Sequence, residues 1–151
     1  MTVYYKERLL PTPWLYIILL LILPAVGLLF MPLNITLGLV LGPVIYVLVV
    51  AFLILTSPRV AVEDEEFIAG RANIPARFIG EVETLNSDEL TLAIGIHGDA
   101  RAYLLIRGWI HQAVKVHNTD PTDPAPFWIV TTRTPEELRK ALEAAKARAK
   151  G

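Results

Sequence analysis

A membrane α+β protein is the fold class predicted by this sequence: an N-terminal two-helix transmembrane hairpin, then a small antiparallel β domain capped by a C-terminal amphipathic helix. Three observations predict it. From Leu9 to Pro58 the chain carries no Lys, Arg, Asp or Glu, and crossing a bilayer core takes roughly 20 helical residues, so the run is long enough for two crossings. After Arg59 the sequence turns to short β-branched and aromatic stretches separated by Gly, Pro and acidic residues, the pattern of strands and turns. The last stretch, from Thr134, repeats apolar residues at helical spacing.

The elements follow in order. Residues 1–12 form an N-terminal segment, 13–57 the hairpin and 58–151 the β-rich domain. Met31-Pro32-Leu33-Asn34-Ile35-Thr36 breaks the apolar run, because proline cannot donate to a continuing helix and Asn34 or Thr36 can cap the next one. Helix one is expected over about Pro13 to Met31 and helix two over about Leu33 to Thr56. Asn34-Ile35-Thr36 matches a glycosylation acceptor in form but reads as a cap. Lys6, Arg8 and Arg59 flank the pair while the connecting turn has no basic residue. The expected product is an integral protein of the plasma membrane with both termini cytoplasmic. Trp14 and Tyr16 fall where an interfacial aromatic belt would lie. Pro24 and Pro43 are expected to kink the spans. Gly38 and Gly42 share a face of helix two, where small residues allow close backbone approach. That face packs either on helix one near Gly27 or on another membrane protein or second copy.

In the soluble part, Val60-Ala61-Val62 and Phe67-Ile68-Ala69-Gly70 outline a hairpin around Glu63-Asp64-Glu65-Glu66. Ile74-Pro75 starts a segment with Phe78, Ile79, Val82 and Leu85 as its apolar positions. Asn86 to Ile96 is ambiguous, with Asn86-Ser87-Asp88-Glu89 offering a capping box. Ala102 to Arg107 and Ala113 to His117 are expected to pair through the link Gly108 to Gln112. Three prolines make Asp120 to Pro126 a loop, and Phe127 to Thr132 is the last strand. The terminal helix, 135–149, has Thr134 as N-cap, Pro135 at its first position and Glu137 completing a capping box. Its apolar stripe is Leu138, Leu142, Ala145 and Ala149, and Glu136 is spaced to pair with Lys140.

Composition excludes several function classes. Charged residues are 19% of the chain, and from Arg59 onward 12 basic residues face 14 acidic ones. That balance argues against a nucleic-acid partner, since phosphate binding needs a clustered positive field. No cysteine is present, which removes disulfides, thiolate metal sites and thiol nucleophiles. Neither span holds an ionisable residue, so no proton relay or gating charge is available to a channel or transporter. No serine stands in a nucleophile elbow, and no glycine-rich loop follows a strand. No catalytic residue, cofactor or metal is therefore expected.

Strands followed by one terminal amphipathic helix resemble, in arrangement, a pleckstrin-homology-like domain, which some bacterial membrane proteins join to a pair of transmembrane helices. Ile74-Pro75 leading to Ile79 and Val82, and the junction at Thr134-Pro135, carry that likeness. A closer set of stretches is Tyr5-Lys6-Glu7-Arg8-Leu9, Gly80-Glu81-Val82-Glu83, Asp99-Ala100-Arg101-Ala102-Tyr103, Val114-Lys115-Val116, Asp120-Pro121-Thr122-Asp123-Pro124 and Trp128-Ile129-Val130-Thr131-Thr132-Arg133 followed by Pro135. Through them the chain resembles the actinobacterial domain-of-unknown-function family 3093, which implies a membrane location and no assigned chemistry.

Candidate contact residues are Arg8, Gly38, Gly42, Asp99, Arg101, Asp120, Asp123 and Trp128. Arg8 and Arg59 suit lipid headgroups. Asp99 and Arg101 make either a loop salt bridge or a partner contact. His117, Asp120 and Asp123 could meet on a turn as metal ligands, but three dispersed groups make a poor site. Trp109 and Trp128 read as core or membrane-facing aromatics, with ligand stacking the alternative. The functional expectation is a membrane-anchored, non-catalytic interaction module on the cytoplasmic face. Its partners would be the bilayer and another membrane protein or a second copy. The alternative is a PH-like domain that binds lipid or a small ligand.

Overall fold

The computed structural model describes residues 2–151 and divides the chain into two compact units, Leu10–Ser57 and Met1–Leu9 with Pro58–Gly151. The first residue of the expected N-terminal segment lies outside the described residues.

In the first unit, helix one is two pieces, α1 (Pro13–Leu19) and α2 (Ile22–Phe30). The break at Leu20 and Leu21 has a local cause. Pro24 cannot donate to the Leu20 carbonyl four residues back and its ring crowds that group. Leu23 N donates to Leu20 O instead, at 3.1 Å, which tightens the turn. Helix two is α3 (Ile35–Leu55), which runs on through Pro43. It begins where the sequence placed a cap: Asn34 Oδ1 accepts Thr36 N at 2.9 Å and Leu37 N at 3.4 Å. Pro13–Phe30 and Ile35–Leu55 are both long and apolar enough to cross a membrane. Their surface is apolar, with Leu28 71%, Leu39 70% and Phe52 65% exposed, a composition that water does not favour over so wide a patch.

In the second unit, β1 (Val3–Arg8), β2 (Arg59–Glu63), β3 (Glu66–Ala69) and β4 (Ala72–Pro75) form an antiparallel meander in that order. The expected hairpin is present, with Val62 opposite Phe67. Two readings change. Residues 3–8 are not a separate N-terminal segment but a strand on Arg59–Glu63, with Arg8 opposite Arg59 and Glu7 opposite Val60. Ile74-Pro75 ends β4 and does not open the following segment, because Pro75 leads into a short 3₁₀ turn, Ala76–Phe78.

The second sheet contains β5 (Ile79–Leu85), β6 (Tyr103–Leu105), β7 (Ala113–Asn118) and β8 (Phe127–Thr131), ordered β5-β7-β8-β6. The expected pairing of Ala102–Arg107 with Ala113–His117 does not form. β6 lies parallel to β8, with Tyr103 opposite Trp128, so the sheet is mixed and not wholly antiparallel. Side-chain packing accounts for this: the Tyr103 and Trp128 rings are 4.6 Å apart between centroids, and Thr131 Oγ1 donates to Leu105 O at 3.1 Å. Between β5 and β6 lies α4 (Ser87–Ile94), opened by the expected capping box. Glu89 N donates to Asn86 Oδ1 and Asn86 N to the Glu89 carboxylate, each at 2.9 Å.

The terminal helix is α5 (Pro135–Lys150). Leu138, Ala141, Leu142 and Ala145 are buried against both sheets, sharing one core with Val60, Val62, Phe67, Ile79, Val116, Trp128 and Val130. Ala149, expected in the stripe, is exposed. Thr134 precedes the helix but makes no side-chain cap bond, because its hydroxyl turns to Tyr5 at 2.6 Å. Glu136 pairs with Arg139 at 3.0 Å and not with Lys140. On the other side of the second sheet, Ala113 and Ile129 pack under Leu90 of α4. Burial on both faces is why Trp128, Ile129 and Val130 run apolar without alternation.

Candidate functional site

The densest polar arrangement joins β1 to the junction of β8 and α5. Strand alternation turns Tyr5 and Glu7 to one side of β1. Tyr5 Oη donates to Glu7 Oε2 at 2.7 Å and lies 2.9 Å from Thr132 Oγ1. The Thr132 hydroxyl donates to the same Glu7 oxygen at 2.6 Å, and Arg133 N donates to Glu7 Oε1 at 3.1 Å. Thr132 also accepts from Thr134 N at 3.1 Å, and the Arg133 guanidinium stands 3.9 Å from Glu7. Thr132 is fully buried, so these partners replace the water its hydroxyl gives up. Burial, reinforced by the neighbouring carboxylate, pushes the Tyr5 phenol up to about 12. The phenol therefore stays a neutral hydrogen-bonding group.

This network lies at the end of the unit where the chain leaves and returns. Leu9 N donates to Pro58 O at 3.0 Å, and Gly70 N to Arg59 O at 2.8 Å. Gly70 has φ of +65°, and a Cβ there would come within 3.4 Å of the Tyr103 hydroxyl and 3.6 Å of Pro58. Tyr103 Oη donates to Ala69 O at 2.9 Å, which ties β6 to the same end. The opposite end of β2 carries the acidic tip. There Asp64 accepts from Thr2 N at 2.7 Å and pairs with Arg148 at 3.3 Å. An open cleft of about 670 Å³ is lined by Asp64, Glu65, Glu66, Pro75, Arg77, Arg148 and Ala149.

The residues singled out from sequence scatter over the chain. Gly38 and Gly42 are buried inside the first unit. A Cβ on Gly38 would lie 3.1 Å from Gly27 Cα, and one on Gly42 would lie 3.3 Å from Leu23 O. The glycine face is thus taken by helix one. Asp99 and Arg101 form a loop salt bridge at 3.2 Å, and the guanidinium's hydrogen bonds hold the Asp99 carboxyl below the usual range. Asp120 folds its own loop: Oδ1 accepts the Thr122 hydroxyl at 2.6 Å and Thr122 N at 2.9 Å, which lowers its pKa. Asp123 also braces this loop, accepting Asn118 Nδ2 at 2.8 Å and Ala125 N at 2.9 Å. Trp128 is 2% exposed and packs in the core, so it cannot serve as a surface contact. Arg8 is exposed.

His117 does not join Asp120 and Asp123. It approaches Glu83 at 4.0 Å, and with Glu81 the three ligand atoms lie within 4.8 Å of one another. Strand spacing explains this, since Glu81 and Glu83 are two apart on β5 and His117 is on the paired β7. The network residues Tyr5, Glu7 and Thr132 were not singled out. Their signal was their place in two of the stretches that carry the family resemblance, at Tyr5 to Leu9 and at Trp128 to Arg133.

The architecture defines an α+β protein whose β-rich unit is interrupted, after its first strand, by an apolar two-helix insertion. The chain matches the family model described as "Protein of unknown function (DUF3093)" over residues 4–142, and it belongs to that family. No curated protein and no solved structure matches it.

Proposed function

We propose that this protein is a membrane-anchored, non-catalytic interaction module, held at the cytoplasmic face by its helical hairpin and accessory to a larger assembly. The observation that carries the reading is the pairing of β1 with β2 across the apolar insertion. Strands paired in one sheet occupy one compartment, so the insertion between them must cross a bilayer an even number of times, and two spans are available. Arg8 and Arg59 at the two ends, with no basic residue in the turn, favour the cytoplasmic side. The absence of Asp, Glu, Lys, Arg and His from both spans favours an anchor over a pathway.

The chain has no cysteine, so single introduced thiols report topology cleanly. In intact cells a membrane-impermeant maleimide should label Leu33→Cys in the turn and reach Glu65→Cys only after permeabilisation. Labelling of both, or of Glu65→Cys alone, would overturn the orientation. Mild co-purification of the full chain should then recover a partner. Recovery of the monomer alone would remove the interaction role.

A second reading, a PH-like domain binding a small ligand, is favoured by the 670 Å³ cleft beside the acidic tip. Two sheets closed by α5 suit a PH-like arrangement, while the parallel β6–β8 pair and α4 depart from it.

A further inference from the structure

The arginines of the β-rich unit are unevenly placed. Arg8 and Arg59 are cross-strand partners at the point where the chain leaves and returns. Arg71 follows Gly70, whose amide is bonded to Arg59 O. Arg107 follows β6, whose Leu105 methyl would lie 3.3 Å from a Cβ on Gly70, and its amide donates to Thr131 Oγ1 at 3.2 Å. Arg133 is carried by the Glu7 network. Three strand pairs and one hydrogen-bonded turn thus gather Arg8, Arg59, Arg71, Arg107 and Arg133 at one end, where Glu7 is already engaged by Tyr5, Thr132 and Arg133. Glu63, Asp64, Glu65 and Glu66 occupy the other end of β2 and its hairpin. The near-neutral composition of the unit hides this polarity.

We infer that this arginine end is a binding surface for the phosphate groups of anionic phospholipids. The inference rests on the anchoring reading above and names the chemistry that the module meets. Guanidinium groups present donors in a planar fork that fits phosphate oxygens and can serve an internal partner and a phosphate together. Arg8 and Arg59 are cross-strand partners, a spacing at which both guanidinium groups can meet one phosphate. The connections are short. Only residues 10–12 and 56–57 separate Leu9 and Pro58 from the helices, so even fully extended they reach about 11 Å and about 7 Å. Tethers this short keep Leu9 and Pro58 within reach of the headgroups of any bilayer the helices enter, where each nearby basic residue gains from anionic lipid.

The test uses the full chain in neutral detergent with equal amounts of phosphatidylglycerol and phosphatidylcholine, and measures retained lipid by native mass spectrometry. The wild type should retain phosphatidylglycerol in excess by roughly fivefold or more, the factor that one arginine near an anionic surface supplies. The variant Arg59→Gln/Arg71→Gln/Arg107→Gln should fall to parity. Arg77→Gln/Arg139→Gln, with the same kind of charge lost elsewhere, should keep the excess. Parity in the wild type, or an excess that survives the triple variant, overturns the inference. If the triple variant loses its native circular dichroism, the exposed pair Arg59→Gln/Arg71→Gln replaces it, and an undiminished excess there is equally decisive. Flotation with vesicles of phosphatidylcholine alone separates the two ideas. A chain that fails to float refutes anchoring, whereas one that floats without preferring phosphatidylglycerol refutes only the arginine surface.

Discussion

Glu7 is the residue whose removal should do most harm for its size. Its carboxylate accepts from the Tyr5 hydroxyl at 2.7 Å, the Thr132 hydroxyl at 2.6 Å and Arg133 N at 3.1 Å. A hydrogen bond to a charged group contributes about 1.5–3 kcal/mol, but Tyr5, Thr132 and Thr134 can still bond one another after the carboxylate is gone. Only part of the gross sum is therefore lost, and Glu7→Ala should cost about 3 kcal/mol, a large share of the stability of an ordinary domain. Glu7→Gln should cost about half as much, because an amide keeps one acceptor oxygen without the charge. The assay is urea unfolding of the full chain in micelles, followed by the fluorescence of core Trp128 and by hydrogen exchange in β1. Combining Glu7→Ala with Thr132→Val should give less than the sum of the single losses, since both report the same bonds. A loss below about 1 kcal/mol, or strict additivity of the pair, would refute the claim that the network holds β1 in the sheet.

Two further outcomes follow from the geometry. The Tyr5 phenol is raised in the folded chain from its ordinary value of 10.0 to about 12, so between these values the unfolded state loses the proton first. The stability supplied by the neutral phenol is complete below pH 10 and declines as pH rises towards 12. Tyr5→Phe should flatten that part of the stability profile measured by denaturant titration. In the helical unit, Gly38→Ala brings a methyl to 3.1 Å from Gly27 Cα, whereas a Cβ on Gly27 meets nothing within 4 Å. Gly38→Ala should lower thermal stability in lipid nanodiscs by about 1–3 kcal/mol and Gly27→Ala should leave it nearly unchanged; equal effects would mean that the helices do not cross there.

Local signals were the legible ones. Asn34, one of two cap candidates beside Thr36, and Asn86, in an otherwise ambiguous segment, were legible as possible helix starts because a cap acts within three residues, and both bonds are present. The acidic hairpin was equally local. β1 was hidden for a different reason: Tyr4 to Arg8 is polar enough to read as a flank, and its partner strand begins at Arg59, beyond the whole hairpin. β6 is only three residues long and its parallel partner lies past β7, so nothing in its own pattern indicates which neighbour it takes. The site residues divide in the same way. Asp99 with Arg101 was readable as a pair two residues apart. Glu7 with Thr132 was not, since 125 positions separate them. Asp120 and Asp123 invited a ligand reading, but each spends its oxygens on its own loop.

The placement of β1 ahead of the apolar insertion also sets an order of events during synthesis. Val3–Arg8 leaves the ribosome first, yet its partner Arg59–Glu63 emerges only after the entire hairpin. Until α3 has turned the chain back, closing a loop of this length brings only its entropic cost. Sheet closure therefore waits on the hairpin. If the helices crossed a membrane only once, Tyr5 and Glu7 would be left on the opposite side from Thr132. Such a chain exposes an open edge on β2, which cellular quality control can recognise. The pairing of Val3–Arg8 with Arg59–Glu63 can form only when both ends of the insertion lie on one side.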